Sequence, residues 1–168
     1  MLESGMPSQL ASSLRNAIAT ELPHLQALSE TDASVKPGGR DSWSPKQELG
    51  HLIDSAANNH IRFVRAALEP SFVGPSYAQN DWVAVHGYQD KPWAATVAFW
   101  HSYNTFLAEL IERIPDEKLS TICSIGSSEP ATLGFVIEDY VLHLQHHIDH
   151  LLRRAAVTQY PSAVPAAR

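Results

Sequence analysis

The sequence contains a single cysteine, Cys123, among 168 residues, which excludes an internal disulfide. A chain without disulfides is typical of a reducing compartment, and we expect a cytoplasmic protein. No segment approaches the roughly 18 uninterrupted apolar residues of a membrane-spanning helix, and the opening MLESGMPSQL lacks the basic and apolar regions of a secretory signal. Lysine and arginine form no cluster and the net charge is -6, which argues against nucleic acid or an anionic membrane surface as a partner.

A convincing strand pattern is also missing. Apolar residues instead recur every three or four positions in four segments, as expected of amphipathic helices. The length and the 44% apolar content suit one globular domain over residues 1–168, with a flexible tail at about 157–168. The sequence therefore predicts an all-α protein, a bundle of four helices. The helices are predicted from about Ser8 to Leu28, Pro45 to Leu68, Trp93 to before Pro115, and Leu133 to Ala156.

Helix-capping residues and prolines indicate where these helices begin and end. Ser44 suits an N-cap, Pro45 the first helical position, and Gln47 the third residue of a capping box. Thr132 suits the N-cap of the fourth helix, whereas Pro23 is expected to kink the first helix or split its last turn. The link over residues 69–92 is too long for an inert connection, so we expect it to cover something.

The fourth helix carries an unusual density of histidines in YVLHLQHHIDHLLRR: His143, His146, His147 and His150. At about 100° per residue, His143 and His147 lie together at the edge of the apolar face. His146 and His150 repeat the spacing but are predicted to face outward, toward a partner surface or around a bound ligand. The wet face is predicted to carry Glu138, Gln145, Asp149 and Arg153.

Two histidines four residues apart on one helix face can present both imidazoles to one metal ion. A catalytic site usually has three protein ligands, and His51, on an apolar part of the second helix, is the best third candidate. Each histidine also has an ordinary interpretation as a residue at the core edge or in an interface. The metal ligands predicted here are His51, His143 and His147.

Other polar residues are candidates for the surroundings of this site. Asn58, Arg62, Tyr77, Asn80 and Trp82 are expected to line a pocket. Arg62 and Asn58 are the candidate cofactor-binding residues; Arg62 could bind a carboxylate, although a surface salt bridge is its commoner role. Asp139, one turn before His143, is a candidate to orient that imidazole. Glu48 and Asp54 flank His51 without a clear placement, and no catalytic residue is assigned.

Three stretches of the sequence together resemble one known family. WSPKQELGHLID and HLQHHIDH resemble the second and fourth helices of DinB-like proteins, and SYAQNDWVAVHGY resembles the link before the third. The resemblance implies a four-helix bundle with an up-down-down-up course and frequent homodimers. It also implies a divalent metal held by His51, His143 and His147.

One departure from the family concerns the residues after the His-His pair. Family members commonly carry Gly-Gln there, whereas Ile148, Asp149 and His150 follow in this chain, and we read His150 at the position of the Gln. The departure leaves the three implied ligands in place. It puts any role of the Gln around the metal in doubt.

The resemblance also implies a function, because some relatives attach a low-molecular-weight thiol to an electrophile and others are mycothiol-dependent isomerases. We expect a metal-dependent enzyme, a thiol S-transferase, with a small-molecule electrophile as substrate. Its expected cofactors are a divalent metal ion, zinc or nickel, and a low-molecular-weight thiol. Two alternatives stay open: a non-catalytic ligand-binding or stress-response bundle, and a metal-assisted hydrolase.

Overall fold

The computed structural model describes residues 5–40 and 42–156, and four long helices form a bundle within them. The predicted all-α four-helix bundle is therefore confirmed, and the predicted tail at about 157–168 lies outside the described residues. Two short helices, α2 and α4, were not predicted. The helices are α1 (Met6–Ala27), α2 (Glu30–Ser34), α3 (Pro45–Leu68), α4 (Gln79–His86), α5 (Trp93–Glu112) and α6 (Leu133–Leu151).

The contacts between helices follow the up-down-down-up course. α5 runs antiparallel to α1, since Nε1 of Trp93 at its start donates to the carbonyl oxygen of Leu25 at the end of α1, over 2.9 Å. α3 runs parallel to α5, because Tyr88, just before α5, packs on the first half of α3, while His60 further along lies 3.1 Å from the Tyr103 hydroxyl. α6 is antiparallel to α3, as the histidine contacts below require.

The predicted helix starts are confirmed. The Ser44 hydroxyl accepts from the Gln47 backbone and the Gln47 side chain accepts from the Ser44 backbone, so the capping box of α3 is complete. Thr132 caps α6 by accepting from the Phe135 backbone. α1 continues through Pro23 to Ala27, so its last turn is not split. α6 ends at Leu151, earlier than the predicted end near Ala156.

Three short strands were not predicted from the sequence. β1 (Ser71–Gly74) pairs in parallel with β2 (Ile122–Ile125), which pairs antiparallel with β3 (Ala131–Thr132). Strands of two to four residues are too short to show a period-two pattern. The sheet joins the end of α3 to the start of α6, so it lies at the opposite end of the bundle from the histidines.

The core fills the space between the four long helices, and the predicted apolar face of α6 is buried there. One residue of its predicted wet face is buried: Oδ1 of Asp149 accepts from Nε of Arg154 over 2.6 Å. Arg154 also reaches the buried carboxylate of Glu21 on α1, and this pairing explains how Asp149 can be buried. None of the described helices is long and apolar enough to cross a membrane.

Candidate metal centre

Three imidazoles from two helices converge at one end of the bundle. His51 lies on α3, and His143 and His147 lie one turn apart on α6. Nε2 of His51 is 3.2 Å from Nε2 of His143, and the His147 ring centroid is 4.6 Å from that of His51 and 4.4 Å from that of His143. One ligand atom of each lies within 4.8 Å of the other two. We call these three residues the histidine cluster; that they bind a metal stays a prediction.

Helix geometry accounts for this convergence. Residues four apart stack on one helix face, which brings His143 and His147 together without any help from the fold. His51 reaches them because the capping box starts α3 at Pro45, so that His51 lies in its second turn, opposite the last turns of the antiparallel α6. His51 is 1% exposed, so this member of the three is fully buried inside the bundle.

The spacing of the nitrogens fits a small cation. Two nitrogens bound to tetrahedral zinc at about 2.0–2.1 Å lie about 3.3 Å from each other. The Nε2 atoms of His51 and His143 have this separation within 0.2 Å. The donor set, three imidazoles and no thiolate, suits zinc, nickel, copper or iron.

Burial keeps His51 and His143 neutral, which is the form of imidazole that binds metal. Desolvation, and then the neighbouring His147, lower the pKa of His51 to about 3. The same causes, in the same order, hold the pKa of His143 well below its ordinary value. Both rings are therefore neutral at neutral pH, so each has one nitrogen without a proton. Nδ1 of His51 is buried and makes no hydrogen bond among the described residues.

A buried carboxylate, Glu48, supports the cluster from the α3 side. Its Oε1 accepts from Nδ1 of His147 over 2.9 Å and from Nδ1 of His150 over 2.7 Å. A carboxylate on Nδ1 fixes the orientation of an imidazole and leaves Nε2 for a metal. The sequence indicated no clear position for Glu48. His150 was predicted to face outward, and its side chain is 70% exposed, but its ring also contacts the buried Glu48. The ring of His146 contacts that of His147, with centroids 5.4 Å apart.

Comparison with known proteins places this bundle in a family. The model of the DinB superfamily matches residues 13–151. The chain belongs to the DinB superfamily. The resemblance seen in WSPKQELGHLID and HLQHHIDH is thereby confirmed.

Individual relatives are distant but cover most of the chain. A candidate metal-dependent hydrolase of Oceanobacillus iheyensis, OB0782, is 24% identical over 122 residues, 73% of this chain and 69% of that protein. YfiT of Bacillus subtilis, described in the same terms, is 24% identical over 124 residues, 73% and 68% of the two chains. The solved structure of YfiT, described as an unusual four-helix bundle, superposes with a TM-score of 0.74 at 21% identity, covering 88% of this chain and 84% of that one. This likeness shows the fold.

Aromatic side chains flank His51 in this DinB-superfamily bundle. The Tyr77 ring, predicted to line the pocket, has its centroid 6.5 Å from that of His51, and Trp82 stands 5.2 Å from Tyr77. Trp43 was not predicted there, yet its ring centroid is 5.1 Å from that of His51. These rings form an apolar wall beside the histidine cluster. Asn80, which was also predicted to line the pocket, is exposed on α4.

The two candidate cofactor-binding residues lie further along α3. Arg62 is 9% exposed, so its alternative as a surface salt bridge is wrong. Its guanidinium donates to the carbonyl oxygen of Pro75 and the side-chain oxygen of Asn59, both over 3.4 Å. Asn58 donates to the backbone oxygen of Asp54 within α3. Whether Arg62 and Asn58 bind a cofactor stays a prediction, as does the orientation of His143 by Asp139.

The structure also shows a polar cluster that the sequence did not indicate. Asp54 accepts from the Tyr88 hydroxyl over 2.7 Å and from Nδ1 of His86 over 2.8 Å. No periodic pattern of apolar residues surrounds His86 in the sequence. The only sequence signal was its place in the long link over residues 69–92, which was expected to cover something.

Proposed function

We propose that this protein is a metal-dependent enzyme whose histidine cluster holds a divalent ion, zinc or nickel, and which transfers a small thiol to an electrophilic carbon. The observation that supports it is the convergence of three imidazoles from two helices of the bundle, of which burial lowers the pKa of His51 and His143. Three protein ligands leave one position of a tetrahedral ion open for a nucleophile. The metal dependence that is part of the relatives' names agrees with this proposal.

In this reaction the residues around the histidine cluster would have separate roles. A divalent ion, when bound, lowers the pKa of a coordinated thiol or water and so provides a nucleophile at neutral pH. Glu48 holds the His147 ring in place. Trp43 and Tyr77 exclude water from the side of His51. The described hydrogen bonds of Arg62 use two of its five donors, which leaves it able to bind a carboxylate of the thiol together with Asn58.

Hydrolysis is the second candidate, because the relatives are named as candidate hydrolases. Attack by water usually needs a general base beside the nucleophile. The two carboxylates nearest His51 on α3 are engaged: Glu48 accepts from two histidines, and Asp54 from Tyr88 and His86. A thiol bound to a divalent ion would lose its proton more readily than a bound water, which favours thiol transfer.

Metal content tests the binding claim. We expect untagged protein to retain about one equivalent of metal by mass spectrometry. The variant with His51→Ala, His143→Ala and His147→Ala should retain none. The control is His24→Ala, because His24 is exposed on α1. Equal retention by the triple variant and the wild type would contradict the proposed ligands and favour the non-catalytic bundle.

Turnover tests the reaction class. We expect the zinc- or nickel-loaded protein to couple one of a panel of small thiols to monochlorobimane, and the triple variant not to. Chromogenic esters are assayed in parallel for hydrolysis. Ester cleavage without thiol coupling would replace transfer by hydrolysis. Metal retention without either activity would leave a binding protein. The proposed homodimer is tested on the same sample by light scattering, where a monomer mass would refute it.

A further inference from the structure

A histidine–aspartate pair, His86 and Asp54, includes a residue one helical turn from His51 on α3 and forms no part of the histidine cluster. Nδ1 of His86, at the end of α4, lies 2.8 Å from Oδ1 of Asp54 on α3. Asp54 is 1% exposed, whereas the His86 side chain is 44% exposed. The carboxylate is therefore held inside the protein and the imidazole reaches toward solvent.

The orientation of the His86 ring is fixed from several sides. Because a carboxylate only accepts hydrogen bonds, the His86 nitrogen facing Asp54 is the protonated Nδ1. The Tyr88 hydroxyl donates to the same carboxylate oxygen over 2.7 Å, and the rings of Trp82 and Tyr88 contact that of His86 edge-on at 5.9 and 5.4 Å. With its proton on Nδ1, the uncharged form of the ring has its lone pair on Nε2, on the side away from Asp54.

Asp54 lies within one helical turn of His51, and aromatic rings connect His86 to the histidine cluster. Asp54 follows His51 by three positions on α3, and side chains three apart on a helix have Cβ atoms about 5–6 Å from each other. A row of rings leads from the cluster to the pair: Tyr77 is 6.5 Å from His51, and Trp82 is 5.2 Å from Tyr77 and 5.9 Å from His86. α4 thus holds His86 beside the aromatic wall of the site.

We propose that His86 is a catalytic residue that carries the proton of the reaction, and that Asp54 and Tyr88 are positioning residues that hold its ring. This inference rests on the proposed function. A histidine that donates Nδ1–H to a buried carboxylate and keeps Nε2 free is the usual arrangement of a general base in proteins.

The proton balance is simplest for addition of a thiol to an epoxide. Nε2 of His86 accepts the thiol proton as the sulfur–carbon bond forms and one carbon–oxygen bond of the ring breaks. It then gives this proton to the alkoxide oxygen. The product is a hydroxy thioether, and no further reactant is needed. With water in place of the thiol, the same transfer yields a diol.

The competing explanation is that His86 only fastens α4 to α3. His86→Asn separates the two, because an asparagine amide can take the place of Nδ1–H as donor to Asp54 but cannot accept a proton. A purely structural role is therefore preserved in this variant. His86→Ala leaves a space that added imidazole can fill. The matched control is His24→Asn, on α1.

The assay uses 1,2-epoxy-3-(4-nitrophenoxy)propane with glutathione, cysteine or 2-mercaptoethanol, and protein of equal metal content. For His86→Asn we expect kcat to fall by about 10²–10⁴-fold with little change in KM, the usual contribution of a general acid–base. Imidazole should restore part of the activity of His86→Ala, and His24→Asn should match the wild type. Circular dichroism checks that each variant is folded.

A measurement on the metal-free protein gives an independent result. Nitrogen-15 correlations of the imidazole rings should show His86 as the Nδ1–H tautomer, and Asp54→Asn should abolish that preference. A His86→Asn variant as active as the wild type, absence of imidazole rescue, or an Nε2–H tautomer each overturns the inference and leaves the proposed function standing. A wild type without metal-dependent turnover overturns both.

Discussion

Replacing Glu48 with glutamine is expected to weaken metal binding although Glu48 itself does not face the metal position. Its Oε1 lies 2.9 Å from Nδ1 of His147 and 2.7 Å from Nδ1 of His150, and its Oε2 lies 2.8 Å from the latter. The negative charge makes Nε2 of His147 a stronger metal ligand. It also attracts the cation, and this attraction is strong because Glu48 is buried, where water screens charge poorly. Glutamine keeps the shape and one acceptor but removes the charge.

The size of the effect follows from this role. Loss of a partner behind a metal-binding histidine typically reduces metal affinity by about 10–100-fold. This corresponds to about 1.4–2.8 kcal/mol of binding free energy. Glu48→Ala, which removes both the charge and the acceptor, should lie at the upper end. His150→Ala should cost less, because that ring is largely exposed and touches Glu48 rather than the cluster.

Competition titration with a chromophoric zinc chelator measures these affinities. Glu138→Gln is the matched control, since Glu138 is exposed on the same helix as His147 and should leave the dissociation constant unchanged. Thermal unfolding of each metal-free variant shows whether the fold is intact. A folded Glu48→Gln variant whose affinity for zinc is within twofold of the wild type would refute the reasoning.

Three further predictions concern stability. Gly50→Ala should destabilise the protein by about 1–3 kcal/mol in urea unfolding, because a Cβ there would lie 2.1 Å from the Tyr88 ring. Gly134→Ala, whose Cβ would meet neighbours only at 3.5 Å or more, should not, and equal stability of the two variants would contradict the clash. Tyr140→Phe should cost about 1–3 kcal/mol, because the buried side-chain oxygen of Asn104 loses its donor; an unchanged midpoint would exclude that role. Zinc at a hundredfold excess over its dissociation constant should add about 2.7 kcal/mol and raise the melting temperature by about 5–10 °C. The same rise in a variant without the histidine cluster would show that zinc binds elsewhere.

Local sequence was sufficient for the four long helices and for two of the three residues of the histidine cluster. The capping box at Ser44 starts α3, and the spacing of His143 and His147 places both rings on one face of α6, because each depends on residues within one or two turns. The four-helix bundle followed from the apolar periodicity. His51 was chosen from its place on an apolar part of the second helix, and the family resemblance implied the same residue. Whether it reaches His143 and His147 depends on how α3 and α6 lie against each other.

Contacts across the chain were beyond local reasoning. Glu48 meets His147 and His150 from about a hundred positions away. His86 meets Asp54 only because the link after α3 turns back along the same helix as α4. Asp149 is buried although its polar side chain predicts the wet face, because its ion pair with the half-buried Arg154 does not show on a helical wheel. The strands β1 to β3 were too short for a periodic signal.

The sequence by itself determined which faces of the helices are apolar, where α3 and α6 start, and that two imidazoles lie side by side on α6. These properties depend on backbone geometry repeated every 3.6 residues, which neighbouring residues specify. Only the tertiary structure decided that His51 meets His143 and His147, that Glu48 contacts His147 and that His86 pairs with Asp54. Helix packing brings distant side chains within hydrogen-bond range, and no local period encodes which of them will meet.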